Sequence, residues 1–506
     1  MKKFSFLFLI IGNIFFINAQ GIGDALRYST EQNVGTARFT ALSGAMGALG
    51  GDLSAMSINP AGSAVFLNSN VTLSASLFDV ENNSTYFNNR NKSFSDDINL
   101  NQAGGVFVFD NFNEESIWKK FTVGVNYNIY RNFDNRLYIS GSGNNSISNF
   151  FVQQAQGIPL NLLVTQQNES ISELYDFLGQ TQGTAAQNAL LGYQGFIFDP
   201  VDADNPNNSA YVSNVANGSF NQDYVLLSEG YNGKFSINFG AQITDKFYIG
   251  VNLNTHTIDF QRSTLLLEDN SNLGSTVNNI AFQNNLAVYG AGFSAQIGGI
   301  AKISDEFRVG LSLDTPTWYQ ISEETTQYLE TQRTKDGQQI LEIINPNVIN
   351  VFEDYTLKTP GKVTASGAYI FGKSGLISFD YSYKDYSQIE FRPSNNTFFS
   401  DQNTIIQNSL QGASTFKAGG EYRINQISLR GGFHYEQSPY QNEDILSNLI
   451  GFSLGTGYNF GDYSFDLAYS RSEQERNQQL YSIGLTDSTK INTVYSNFIA
   501  SLIFNF

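Results

Sequence analysis

Connection length alternates along this chain, and few folds permit that. Stretches of period-2 hydrophobicity begin near residue 70. Across Phe121–Ile129 each odd residue is apolar and each even one is polar or Gly. The same period recurs in 235–242, 247–254 and 450–459. Such alternation marks a strand with one apolar face, close to the ~9–11 residues a tilted strand needs to cross a bilayer. It predicts fourteen strands, near 69–80, 100–109, 119–131, 231–242, 247–261, 284–302, 307–316, 355–371, 376–390, 412–424, 427–437, 448–460, 462–475 and 491–506. Links after odd-numbered strands are long. Links after even-numbered ones are short, as at 244–246, 304–306, 372–375, 425–426 and 461, with 110–118 longer. A soluble sandwich has no reason to sort its loops by length. An all-β, fourteen-stranded antiparallel transmembrane barrel does, because its tight turns lie on one side of the membrane and its long loops on the other.

Composition agrees. Charged residues are 15% and aromatics 14%, against ~25% charged in ordinary soluble chains. The net charge of −18 excludes a nucleic-acid binder that works by neutralising phosphates. With no Cys, disulfides, thiolate catalysis and Cys-ligated zinc are excluded. Lys2, Lys3 and the apolar run Phe4–Ile17 precede Ile17-Asn18-Ala19. This is the pattern of a signal peptide over 1–19, with cleavage before Gln20. Its loss takes the charge from −18 to −20. The expected location is the outer membrane of a Gram-negative bacterium, among lipid and lipopolysaccharide.

Fourteen strands enclose more space than their own side chains fill. Residues 20–68 precede the first strand, lack alternation and are rich in small residues through 41–51. They are expected to form a hatch inside the lumen, with the barrel at 69–506. In Asn59, Pro60, Ala61 and Gly62 the chain turns towards the first strand. These four residues, with Thr36–Ala41 and Gly47–Asp52, resemble the hatch of FadL-family transporters of hydrophobic compounds, in the version carried by Bacteroidota. Thr359-Pro360-Gly361, Asp380–Tyr383, Gly420-Glu421-Tyr422, Leu429–Pro439 and Gly455–Tyr458 carry weaker likenesses along the rest of the chain. The resemblance implies a fourteen-stranded barrel with an amino-terminal hatch, in agreement with the count above.

The long insertion at 134–229 holds nine acids and one base, Arg136. Its periodicity is helical around Ile147–Ile158, Ser170–Leu178 and Ala186–Tyr193, and Ser170 with Glu173 spells a capping box. The apolar faces must be buried against each other, the barrel rim or a ligand. Phe150, Phe151, Leu174 and Leu178 are the candidates for ligand capture, a use that the resemblance favours. The strand phase turns Arg308, Lys417, Arg423 and Arg430 into the lumen, where a base either pairs with a wall carboxylate or meets a substrate anion. Gly104 and Gly105 mark a place where the wall could open.

Catalytic signals fail. Gly451–Gly455 spells G-x-S-x-G, but inside a strand rather than at a strand-to-helix elbow. His256 and His434 alone make no zinc site, and Asp199, Asp202 and Asp204 lack calcium-loop spacing. No enzyme, cofactor or metal is expected. The leading expectation is passive uptake of a hydrophobic small molecule such as a long-chain fatty acid. The alternative is a barrel subunit of a larger outer-membrane assembly or secretion complex, with other outer-membrane proteins as partners.

Overall fold

A computed structural model describes residues 21–113 and 115–506. The signal peptide expected over 1–19 lies outside the described residues. Fourteen strands close the barrel. They are β1 Asn70–Tyr86, β2 Asn89–Asp110, β3 Trp118–Asn132, β4 Phe220–Ile243, β5 Phe247–Asp269, β6 Val277–Lys302 and β7 Phe307–Asp314. The second half is β8 Lys362–Ile370, β9 Gly375–Asp385, β10 Gly412–Ile424, β11 Ile427–Glu436, β12 Leu449–Asn459, β13 Tyr463–Gln479 and β14 Ser488–Asn505. Neighbours pair antiparallel throughout. The ring closes where β1 meets β14, from Asn70↔Asn505 to Thr85↔Lys490.

The alternating residues sort as the bilayer requires. Leu73, Leu77, Phe121, Phe235, Phe239, Phe379, Phe433 and Phe498 face outward and are exposed. Thr72, Ser74, Asn126, Asn238, Asn252 and Ser501 face inward and are buried. Trp118, Phe247, Phe307, Phe371, Tyr422 and Phe460 form an exposed aromatic belt near the short turns, as at a membrane interface. The chain is an outer-membrane β-barrel, with the short turns on the periplasmic side.

Two expected loops are strands. Residues 81–99 continue the β1–β2 ladder without interruption to Tyr86↔Asn89. The turn is made by Phe87 and Asn88, both at positive φ. Likewise β5 and β6 run on to Asp269 and Val277. Above the lipid both faces of a strand meet polar surroundings, so hydrophobic alternation stops while the hydrogen-bond ladder continues. Prolines cut the other way. The seventh and eighth strands are each interrupted, at Thr315-Pro316-Thr317 and Thr359-Pro360-Gly361, because proline offers no N–H to a ladder. The wall then resumes at Trp318–Lys335, which pairs with β6 and with Tyr355–Lys358.

The insertion starts as a strand, Asn135–Gly143, paired to β4. Three helices follow, α3 Ser148–Ala155, α4 Ile171–Thr181 and α5 Thr184–Gln194; the numbers α1 and α2 belong to two amino-terminal helices, Ile22–Ser29 and Ala37–Ala41. Ser170 Oγ accepts from Glu173 N at 3.2 Å and Glu173 accepts from Ser170 N at 2.8 Å, which satisfies free donors at the start of α4. The helices bury their stripes against the extracellular rim and form a cap. Phe151 lies 5.0 Å from Phe282 of β6, centroid to centroid, and Phe150 lies 4.9 Å from Tyr481. Removing a ring from this core should cost about 3–5 kcal/mol. Phe151→Ala is therefore expected to loosen the cap but not the barrel. Protease shaving of intact cells should cut within 134–229 faster than in the unsubstituted protein, with unchanged heat-modifiable mobility of the barrel.

Candidate functional site

The lumen is occupied by residues 21–66, and the contact is polar on the wall side. Backbone groups of the amino-terminal segment meet inward side chains. Ala37 N donates to Ser501 Oγ at 2.7 Å, and Met46 N and Gly47 N donate to Asp380, each at 3.0 Å. Asn252 Nδ2 donates to Met56 O at 2.7 Å and Ser312 Oγ to Ile58 O at 2.7 Å. This suits a segment with little regular structure, whose backbone groups would otherwise be left unpaired inside the barrel.

The Asn59–Gly62 motif sits at the centre of this contact. Asn59 Oδ1 accepts from Ala61 N at 3.1 Å and so caps a 3-10 turn, Pro60–Val65, that opens on proline. Its amide donates to Gly47 O at 2.8 Å and to Gly299 O at 3.0 Å. Wall glycines make the seat. A Cβ on Gly298 would stand 2.1 Å from Asn59 Oδ1, and one on Gly250 would stand 2.4 Å from Pro60 backbone atoms.

Ion pairs hold the base. Glu421 receives Arg38 of α2 at 2.9 Å, Arg430 at 2.7 Å and Arg423 at 2.6 Å, and Arg430 also meets Asp466 at 3.0 Å. Arg308 Nη1 donates to Leu49 O at 3.2 Å and Lys417 Nζ to Asn33 Oδ1 at 3.1 Å. The four bases singled out from the strand phase thus face the amino-terminal segment or its ion-pair cluster.

Higher in the lumen lies a second basic group. Lys234, Lys362 and Lys384 converge with Glu31, Asp314, Tyr130 and His256 around a cavity of about 40 Å³. Lys362 bonds Glu31 at 2.6 Å and Asp314 at 3.4 Å, and Lys384 donates to Ser29 O at 2.5 Å. Lys234 lies 5.2 Å from the Tyr130 ring centre. Burial would raise the Glu31 carboxyl, but Lys362, Lys384 and Lys417 outweigh it and hold the group well below the usual carboxylate range. Beside these lysines packs an apolar cluster that includes Phe260, Val288, Tyr319, Leu357 and Phe391 together with Ala25, Leu26 and Tyr28 of α1. Lys234, Lys362 and His256 were not among the candidate residues. The phase rule that gave Lys417 would have found Lys234, which alternates with Phe235. Glu31 lies outside any strand and left no periodic signal.

Two expectations are corrected. Phe150, Phe151, Leu174 and Leu178 are buried in the cap core, so they present no open capture surface; helices this short need their apolar faces for packing. Gly104 and Gly105 are no weak point. Each pairs on both sides, Gly104 with Thr72 and Asn126, Gly105 with Val71 and Val125. A Cβ on Gly104 would stand 2.3 Å from Val125 O and 3.2 Å from Leu53, so the residue serves close approach. The break in the wall comes just above. β2 and β3 pair only from Gln102↔Asn128 downward. Register shifts lie beside the break on both strands, at Ser74/Ala75 opposite β2 and at Ile129/Arg131 in β3. Amino-terminal residues fill the gap from inside. Gln32 N donates to Tyr130 O at 3.1 Å and Gln32 Oε1 accepts from Asn132 N at 2.9 Å, on β3. Gly35 O accepts from Asn101 Nδ2 at 2.5 Å, on β2. Leu100 and Ile98 are exposed on the outer surface beside it.

Among solved structures, a FadL homologue of Pseudomonas aeruginosa aligns with a TM-score of 0.53 over 94% of this chain and 100% of its own, at 12% identity. The chain has the FadL fold. The toluene transporter TodX of P. putida aligns with a TM-score of 0.52, over 94% of this chain and 99% of its own, at 14% identity. No protein-family model matches the sequence, and no curated protein matches it. Within the FadL fold of this chain, the close seat at Gly298 gives a direct test. Gly298→Val should displace Asn59 and unseat the segment, which raises small-solute conductance in planar bilayers. Unchanged low conductance in a correctly folded variant would show that this contact does not govern the plug.

Proposed function

We propose that the protein carries hydrophobic small molecules passively across the outer membrane, with residues 21–66 acting as a hatch and the β2–β3 break as a sideways exit into the bilayer. The break carries the reading. Two neighbouring strands part at the level of Ile98 and Leu100, and residues 30–35 of the same segment that fills the lumen contact the strands there from within, Thr30 and Gln32 on β3 and Gly35 on β2. When that segment moves, the lumen and the wall open together. An apolar solute could then leave without crossing water, and no chemical step is needed. A toluene transporter of the same fold supports an apolar cargo.

The apolar cluster supports a finer reading, a long-chain fatty acid. Its apolar side chains suit an acyl chain, and the lysines beside it suit a carboxylate. In this state α1 holds that place, with Ala25, Leu26 and Tyr28 where an acyl chain would lie.

The absence of Cys makes a clean test. Ser43 Oγ in the segment and Ser453 Oγ in β12 lie 2.7 Å apart, so a cysteine pair there can reach disulfide geometry with little movement. Under oxidising conditions the Ser43→Cys/Ser453→Cys variant should stop entry of a fluorescent fatty acid into cells, and a reductant should restore it. Uptake that continues with the disulfide formed would refute a hatch that must leave the wall. Uptake of apolar probes that survives deletion of the whole gene would refute the transport reading itself.

A further inference from the structure

The periplasmic end carries a pocket that uptake through the wall does not use. It is a cavity of about 190 Å³ at the seam between the amino-terminal segment and the wall, beside the β8–β9 turn. Arg38, Arg308, Lys373 and Arg423 line it, and no carboxylate does. The rest of the lining is glycine and the apolar side chains of Leu49, Val65, Ile370 and Leu376. In a chain of net charge −18, four converging bases are conspicuous. Glu421, fully buried behind them, is already shared by Arg38, Arg423 and Arg430, and no ion pair among the described residues includes Arg308 or Lys373. Arg308 spends one nitrogen on Leu49 O, while its Nε is buried with no partner. Arg423 remains about half exposed towards the turn side, at 47%.

Arg308 and Lys373 stand beside the ion-paired Arg38 and Arg423 with no described carboxylate of their own, which leaves their charges uncompensated, and a buried guanidinium N–H with no acceptor is costly. An oxyanion relieves both, because guanidinium groups bind carboxylate and phosphate oxygens in a two-pronged geometry that fits their spacing. The apolar part of the lining would hold a short stem behind that head. The volume lies below the ~300–1,000 Å³ of a site that engulfs a drug-sized ligand, so the pocket takes a head group and a few carbons rather than a whole acyl chain.

We infer that this pocket is a periplasmic oxyanion site, built to hold a carboxylate or phosphate group on Arg308, Lys373 and Arg423. Its existence does not depend on transport. The ligand can be the carboxylate of a small amphiphile or a free phosphate, and the two probes separate these sources.

Binding of sodium octanoate and of inorganic phosphate to the purified full-length barrel, in a non-ionic detergent, can be measured by calorimetry. Octanoate should bind, and Lys373→Gln and Arg308→Gln should each weaken it at least ten-fold. Lys335→Gln, exposed at the far end of the Trp318–Lys335 strand and remote from both basic clusters, should leave that affinity unchanged. Phosphate binding that falls in the same two variants, with no octanoate binding, would keep the site and assign it to the free anion. Lys373 sits in an exposed turn, so its variant carries little folding burden, and heat-modifiable mobility verifies each barrel. If neither probe binds, or if Lys373→Gln and Arg308→Gln bind as the unsubstituted protein does, the site does not exist.

Discussion

Every backbone N–H and C=O in the lipid layer must find a partner within the protein, because hydrocarbon offers none. The closing ladder between β1 and β14 answers that requirement, and the remaining architecture follows from it. A closed ring has no free edge, so its strands can present a continuous apolar exterior. A ring of fourteen also leaves an interior that side chains alone do not fill. The polar inward face then has to be satisfied, and the amino-terminal segment does this with its own backbone. Asn252, Ser312, Asp380 and Ser501 each bond a main-chain group of that segment.

The same interior face serves different ends at different heights. At the base, Glu421 gathers three arginines and fastens α2 to the wall. A buried ion pair of this kind adds little net stability, but removing one partner strands the other. It therefore sets position more than strength. In the middle, lysines gather around Glu31 beside a packed apolar cluster. At the top the cap seals the rim with aromatic packing, and the buried Glu268 ties it down by accepting from Ile147 N at 2.8 Å and Gln222 Nε2 at 2.7 Å. Where β2 and β3 part, residues of the segment inside bond each strand, Gln32 on β3 and Gly35 on β2.

Strand number, order and inward phase were legible in the chain because the bilayer imposes them one residue at a time. A residue such as Phe121 or Phe239 must face lipid, and its neighbours must not. The short turns at 244–246 and 425–426 were legible for the same reason, since alternation stops on both sides of them. Residues 81–99 were not, because that ladder stands above the lipid and nothing forces its two faces to differ. Three helical stripes in the insertion were also readable, since a helix outside the membrane must bury one face.

What those faces bury against was not readable. Phe150 and Phe151 carry the same periodic signal whether they line a groove or fill a core, and only the approach of Phe282 and Tyr481 decides it. Gly104 reads as a weak point in a strand, and only the nearness of Val125 and Leu53 shows a close contact. The sequence by itself determined a closed barrel of alternating strands with an irregular segment ahead of it. The tertiary structure alone decided that Gln32 and Gly35 stand in the β2–β3 break, and that Lys234, Lys362 and Lys384 meet at Glu31. The physical reason is range. Periodicity records what each residue owes its immediate solvent, whereas the break and the lysine cluster join residues far apart in the chain, which no local pattern records.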